Sequence, residues 1–138
     1  MGKHQVIVLD THALLWWVSN PEQIPSRARR LLERSITDDA GVSASSITAW
    51  EIAMLVERGR LELTMPVEEW IARVESLPWL TFVPVDNRIA MRSVRLENFA
   101  HRDPADRIIV ATAFVLNAML VTGDARLRSY TAVRTAWD

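Results

Sequence analysis

The run His101-Arg102-Asp103-Pro104-Ala105-Asp106-Arg107 leads directly into Ile108-Ile109-Val110-Ala111-Thr112-Ala113-Phe114-Val115-Leu116, and its reading decides the fold. Asp103 followed by Pro104 is a helix start: a side-chain acceptor at the N-cap, then the residue best suited to the first helical position. That register puts Asp106 in the first turn, where free backbone N–H groups and the helix dipole favour an anion. The helix beyond is apolar almost all round, so it must be covered on several sides and sit centrally in a layered structure. Two carboxylates thus stand at the mouth of a buried helix. Asp-Pro-Ala-Asp is equally a good capping sequence, so the choice between cap and chemistry depends on where the other acids fall.

Working outward, Gln5-Val6-Ile7-Val8-Leu9 is a continuous apolar, β-branched run, as in a strand buried on both faces of a parallel sheet. It ends in Asp10-Thr11, and Ala13 to Val18 reads as a helix. Asp10 therefore lies at the carboxyl end of a central strand, where open α/β sheets place ligands, although Asp10 or Thr11 could also simply cap the helix. On the other side of the central helix, Asn117 gives a stop. Ala118-Met119-Leu120-Val121 then repeats the design, an apolar run followed by Thr122-Gly123-Asp124. Asp124 has the same two readings, ligand or cap for the helix carrying Leu127.

Between these lie further strands and helices. Pro25-Ser26-Arg27 opens a helix with Leu31 and Leu32 inward, Val42-Ser43-Ala44 is a strand, and Ser45 or Ser46 caps a helix running to about Arg58, stopped by Gly59. Arg60 to Leu63 is a short extended piece. Thr64-Met65-Pro66 starts a helix carrying Trp70 and Val74. Leu80 to Pro84 is a strand placed near an edge by its proline. Asp86 caps a helix to about Leu96 with Ile89, Ala90 and Val94 inward and Arg88, Arg92 and Arg95 outward, and Ala132 to Thr135 is a last strand. Strands alternating with helices predict a three-layer α/β/α sandwich around a parallel sheet of four to five strands, one domain over 1–138.

Glu51 is the anomaly of the pattern. Ile47, Met54 and Leu55 are its helical neighbours, and no basic residue stands three or four positions away. A glutamate there is costly unless a distant arginine or a metal satisfies it.

Composition narrows the classes. The chain has no cysteine, which excludes disulfides, zinc thiolates and thiol chemistry and makes a cytoplasmic location the expectation. No apolar stretch is long enough to span a bilayer. The start, with Lys3 before Val6 to Leu9, is rejected as a signal sequence because Asp10 and His12 interrupt it. The net charge of −1 comes from 16 basic and 17 acidic residues, so four acids bound to metal would leave the balance at +3. All the basic residues but Lys3 are arginines, the better phosphate forks. Neither a Gly-x-Gly-x-x-Gly nor a Gly-Lys-Ser/Thr string occurs, which disfavours dinucleotide and P-loop enzymes. Acids gathered from distant positions on one rim need a cation, and oxygen-only ligands suit Mg²⁺ or Mn²⁺. The residues thereby point to metal-dependent phosphoryl hydrolysis or phosphate recognition.

The strings Val-Leu-Asp10-Thr-His-Ala-Leu-Leu-Trp-Trp, Val-Ser-Ala-Ser-Ser-Ile-Thr-Ala-Trp-Glu51-Ile-Ala, Gly-Arg-Leu-Glu-Leu, His101-Arg-Asp103-Pro-Ala-Asp106-Arg and Thr122-Gly-Asp124, in that order, resemble PIN-domain proteins and, more narrowly, VapC-type ribonuclease toxins. The resemblance implies Asp10, Glu51 and Asp106 as an acidic trio around Mg²⁺ or Mn²⁺, with Asp124 a less constant fourth. It implies Thr122 beside the metal ligands or the phosphate, with Thr11 a weaker candidate, and Asp103 chiefly as a cap. It implies cleavage of RNA, a tRNA or rRNA loop among the candidates, by metal-activated water, neutralisation by a small antitoxin, and a homodimer. Arg107, emerging beside Asp106, is expected to steer a carboxylate or a substrate phosphate. His12 and His101 read as structural rather than as general acids, and Trp16, Trp17 and Trp50 as core or as an antitoxin groove. The competing readings are an inert PIN scaffold that only binds, and a phospho-receiver domain. The latter needs a lysine near its last strand, and Lys3 is in the wrong place.

Overall fold

A computed structural model describes residues 5–138; Lys3 lies outside them. In chain order the elements are β1 (Ile7–Leu9), α1 (Thr11–Ser19), a 3₁₀ turn (Pro21–Gln23), α2 (Ser26–Thr37), β2 (Val42–Ser45), α3 (Ile47–Glu57), α4 (Val67–Glu75), β3 (Leu80–Val83), α5 (Asn87–Val94), α6 (Pro104–Leu116), β4 (Met119–Val121), α7 (Ala125–Arg128) and β5 (Thr135–Ala136). The five strands form one sheet in the order β3-β2-β1-β4-β5, every neighbouring pair parallel. The chain lays down β1, β2 and β3 in one direction, then returns to place β4 on the other side of β1. Connections on either side of that reversal leave to opposite faces, which opens a crevice at the carboxyl ends of β1 and β4.

Strand alternation sorts the core into two halves. Ile7, Leu9 and Val121 face a cluster built with Leu14 and Leu15 of α1, Leu32 of α2, Ile52 of α3 and Trp70 and Val74 of α4. Val8 and Leu120 face the opposite cluster, with Ile109, Val110 and Ala113 of α6 and Leu127 of α7. With Ile109 to Ala113 all buried, α6 is the central helix that its all-round apolarity predicts. Asp103 caps it by accepting from Asp106 N–H at 3.0 Å, and Asn117 ends it in the left-handed region at φ 51°. The edge position of β3, just before Pro84, also agrees with the sequence.

Some local expectations are corrected. Strand β1 starts at Ile7, the first residue in register with β4, opposite Met119; Val6 before it contributes only its carbonyl, to Met119 N–H at 2.8 Å. Strand β5 is Thr135–Ala136 rather than Ala132 to Thr135, since Val133 N–H closes a turn onto Tyr130. In α5 the inward residues are Ile89 and Ser93, with Leu96 continuing their face past the helix end. Ala90 is exposed and Val94 is 77% exposed. The Asp86 cap fixes that register, and spacing of four and then three residues puts Ile89, Ser93 and Leu96 on one side. Among the described residues no helix is long and apolar enough to cross a membrane.

Candidate active site

The register that aligns Leu9 with Val121 brings Asp10 and Thr122 side by side at the strand ends. Asp10 N–H donates to Val121 O at 3.2 Å, and the Thr122 hydroxyl donates to Asp10 Oδ2. Asp10 Oδ1 accepts from Ala13 N–H at 2.9 Å and so caps α1. Both readings of Asp10 are therefore compatible: it caps a helix and lines a cleft of about 310 Å³ at the carboxyl rim. Burial pushes its carboxyl up to about 6, against the lowering effect of the Thr122 and Ala13 hydrogen bonds, and the nearby Asp106 adds to the rise.

Two helix starts deliver the other acids. Glu51 and Thr48 stand three residues apart on α3, hence on one face. Thr48 is buried, and its hydroxyl lies 3.2 Å from that of Thr11, which donates to Glu51 Oε1 at 2.5 Å. Among the described residues no arginine reaches Glu51; the Thr11 hydroxyl satisfies one of its oxygens. At the start of α6, His101 Nε2 lies 2.6 Å from Asp106 Oδ2, the ring N–H donating to the carboxylate. Glu51, Asp103 and Asp106 each offer an oxygen, all within 4.8 Å of one another. Burial raises the pKa of Glu51 despite the Thr11 hydrogen bond, and Asp106 and Asp103 raise it further. Asp106 is raised too, by burial first and against its bond from His101, with Asp103 adding to the rise.

One feature separates these three acids from the other two of the cleft. Glu51, Asp103 and Asp106 each have one oxygen held by the protein and a second with no protein partner among the described residues. Asp10 has both oxygens engaged. So does Asp124, which takes Arg126 N–H at 2.8 Å on Oδ1 and Arg126 Nη2 at 3.3 Å on Oδ2.

The PIN domain is the family description that fits the sequence, over residues 7–133. Ribonuclease VapC22 of Mycobacterium tuberculosis is 34% identical over 133 residues, covering 95% of this chain and 98% of that protein. The chain belongs to the PIN-domain family, in its VapC-type branch. Among solved structures, FitAcB from Neisseria gonorrhoeae is 24% identical with a TM-score of 0.66, covering 94% of this chain and 96% of that one. DNA-bound VapBC from Salmonella typhimurium is 20% identical with a TM-score of 0.68, covering 96% and 97%. These two likenesses are of fold.

In this PIN domain the five acids singled out in the sequence, Asp10, Glu51, Asp103, Asp106 and Asp124, all line one cleft. Asp103, read chiefly as a cap, does cap α6 and also joins the closest carboxylate group. The expectation for Arg107 is corrected. Its guanidinium donates to the carbonyls of Ser93 at 2.8 Å and of Phe99 and His101 at 2.9 Å, with a longer bond to Val94 at 3.4 Å, and it lies over the Phe99 ring. It ties the end of α5 and the segment after it to the start of α6, and nearly all its donors are used there. Trp16 lines the cleft and packs on Trp137, Trp17 packs on Trp79, and Trp50 is exposed. A Cβ on Gly123 would lie 2.8 Å from the Trp137 ring, so only glycine lets the backbone between Thr122 and Asp124 pass that indole.

Two residues escaped the sequence reading. Thr48 carried a signal in its spacing from Glu51. Arg126 carried one in following Asp124 by two residues at a helix start, where an acid's side chain turns toward the N–H of the second residue on.

Proposed function

We propose that this chain, acting as a single PIN domain, is a divalent-metal-dependent endoribonuclease toxin held in check by a small cognate antitoxin. The observation that carries the reading is the convergence of Glu51, Asp103 and Asp106 within 4.8 Å, none of them bound to a lysine or arginine among the described residues. Asp106 and Asp103 add to the burial that raises the Glu51 pKa, and Asp103 adds to that which raises Asp106; a cation relieves the repulsion. The VapC-type relative, a ribonuclease by name, supports the substrate class.

The donor set fits such an ion. Magnesium takes oxygen ligands at about 2.1 Å, so ligand oxygens opposite one another stand about 4.2 Å apart and adjacent ones closer. A group spread over 4.8 Å needs only small side-chain adjustments. Glu51, Asp103 and Asp106 would hold the ion through their free oxygens, with Asp10 and Asp124 completing the acidic set. Bound there, Mg²⁺ or Mn²⁺ supplies a Lewis acid and a water of lowered pKa for attack on a phosphodiester. The protein's part is orientation. Thr11 fixes Glu51, backed by Thr48; His101 fixes Asp106; Thr122 fixes Asp10. The small antitoxin and the homodimer implied by the VapC-type resemblance belong to the same reading.

The test is incubation of the purified protein with total RNA in Mg²⁺ or Mn²⁺, then in EDTA, beside Glu51→Gln and Asp106→Asn. Cleavage should require the metal and both acids. Cleavage that persists in EDTA or in the variants rejects the reading.

A further inference from the structure

Five carboxylates line the cleft, and an RNA phosphate approaching it meets their combined repulsion. Among the described residues lining it, one arginine and no lysine offset that charge: Arg126, in the first turn of α7. Its side chain is 65% exposed and its guanidinium reaches Asp124 only at 3.3 and 3.5 Å, through Nη2 and Nε. An exposed ion pair at these distances holds weakly. The Arg126 backbone N–H, at 2.8 Å, makes the shorter bond to the same carboxylate, and that bond does not require the guanidinium to stay. Arg107, by contrast, is locked to backbone carbonyls. The structure thus holds an exposed, planar fork at the mouth of the cleft, weakly paired to a carboxylate.

We infer that Arg126 is the phosphate clamp of this site, exchanging its contact with Asp124 for a non-bridging oxygen of the RNA backbone as substrate enters. The inference rests on the proposed ribonuclease reading and adds to it a residue that touches substrate. For Arg126 the exchange replaces one charge-assisted pair by another, while Asp124 keeps the Arg126 backbone N–H.

The experiment measures binding of a labelled, mixed-sequence single-stranded RNA in Mg²⁺ across a range of salt concentrations. The parent protein carries Glu51→Gln to prevent turnover. Arg126→Ala and Arg126→Lys are compared with Arg88→Ala, which removes the same charge from α5, with thermal melts confirming that each variant is folded. Arg126→Ala should weaken binding by about tenfold and flatten the plot of log Kd against log salt by about 0.7. Arg126→Lys should restore the slope but not the full affinity, and Arg88→Ala should leave both unchanged. A parent that does not bind RNA overturns the ribonuclease reading and the clamp with it. A parent that binds, with Arg126→Ala binding equally or with Arg88→Ala losing as much, overturns the clamp alone.

Discussion

Asp10 and Asp124 are near-twins in the sequence: each follows an apolar strand at the sheet's carboxyl rim and starts a helix. The structure makes them opposites. Asp10 is 6% exposed, bound by the Thr122 hydroxyl and the Ala13 N–H, and pushed up to about 6 by burial. Asp124 stands at the rim with Arg126 on both oxygens; burial pushes it up, but the Arg126 hydrogen bonds outweigh that and leave it below its ordinary value. One hydroxyl serves both acids, since Thr122 Oγ1 donates to Asp10 and accepts from Asp124 N–H at 3.0 Å. The contrast teaches that a strand-end carboxylate acquires its chemistry from which neighbour neutralises it. Among the described residues Asp10 has hydroxyl and backbone donors but no arginine or lysine beside it; Asp124 has Arg126.

The sharpest way to break the contrast is to neutralise each acid in turn. Asp10→Asn is expected to lower the initial rate of RNA cleavage by about 10²- to 10³-fold, roughly 3–4 kcal/mol of barrier. Asp124→Asn should cost about tenfold or less. Equal losses would erase the distinction.

Next comes the pH dependence of stability in EDTA, followed by urea unfolding between pH 4 and 7. The folded-state pKa of Asp10 lies above its unfolded value of 3.8, so its contribution is full below about 3.8 and is lost as pH rises through about 6. That loss is on the order of 3 kcal/mol at most. Asp10→Asn should flatten the curve. Asp124, with a lowered pKa, acts in the opposite sense: its contribution is present at neutral pH and is lost as the solution is acidified below its unfolded pKa. A wild-type curve that rises from pH 4 to 7 would contradict the assignment of Asp10 as the dominant buried acid.

A smaller effect should follow from Thr122→Val, which removes the shared hydroxyl. The loss of about 1 kcal/mol of hydrogen bonding raises the Asp10 pKa by less than one unit, readable from its side-chain carboxyl NMR signal. An unmoved signal would mean that Thr122 does not hold Asp10. Smallest of all is Asp103→Asn. The amide oxygen keeps the cap on Asp106 N–H, so the melting temperature should scarcely change, while Mn²⁺ affinity falls; Asp103→Ala should cost about 1 kcal/mol of stability as well. If Asp103→Asn binds Mn²⁺ as tightly as wild type, Asp103 is a cap and nothing more.

Much of the site was legible before any fold was known because helix caps and strand ends are written locally. Asp10, Asp86, Asp103 and Asp124 each precede a helix, and each accepts a backbone N–H in the structure. Glu51 stood out because nothing within one helical turn could pair with it. Arg107 misled for the same local reason: adjacency to Asp106 says where a backbone is, whereas a long side chain goes where acceptors are free. The carbonyls that claim it come from Ser93 and Val94 in the last turn of α5 and from Phe99 and His101 in the loop beyond it, and only the packing of α5 beside α6 brings them to it.

By itself the sequence determined the elements, their parallel α/β order and the set of acids, because periodicity, caps and β-branched runs act over a few residues. Only the tertiary structure decided which acids stand close together, which has an arginine beside it, and which acid each hydroxyl meets, Thr11 on Glu51 and Thr122 on Asp10. Those choices depend on residues as far apart as Asp10 and Thr122 in the chain, and the register of β1 on β4 is what makes them neighbours.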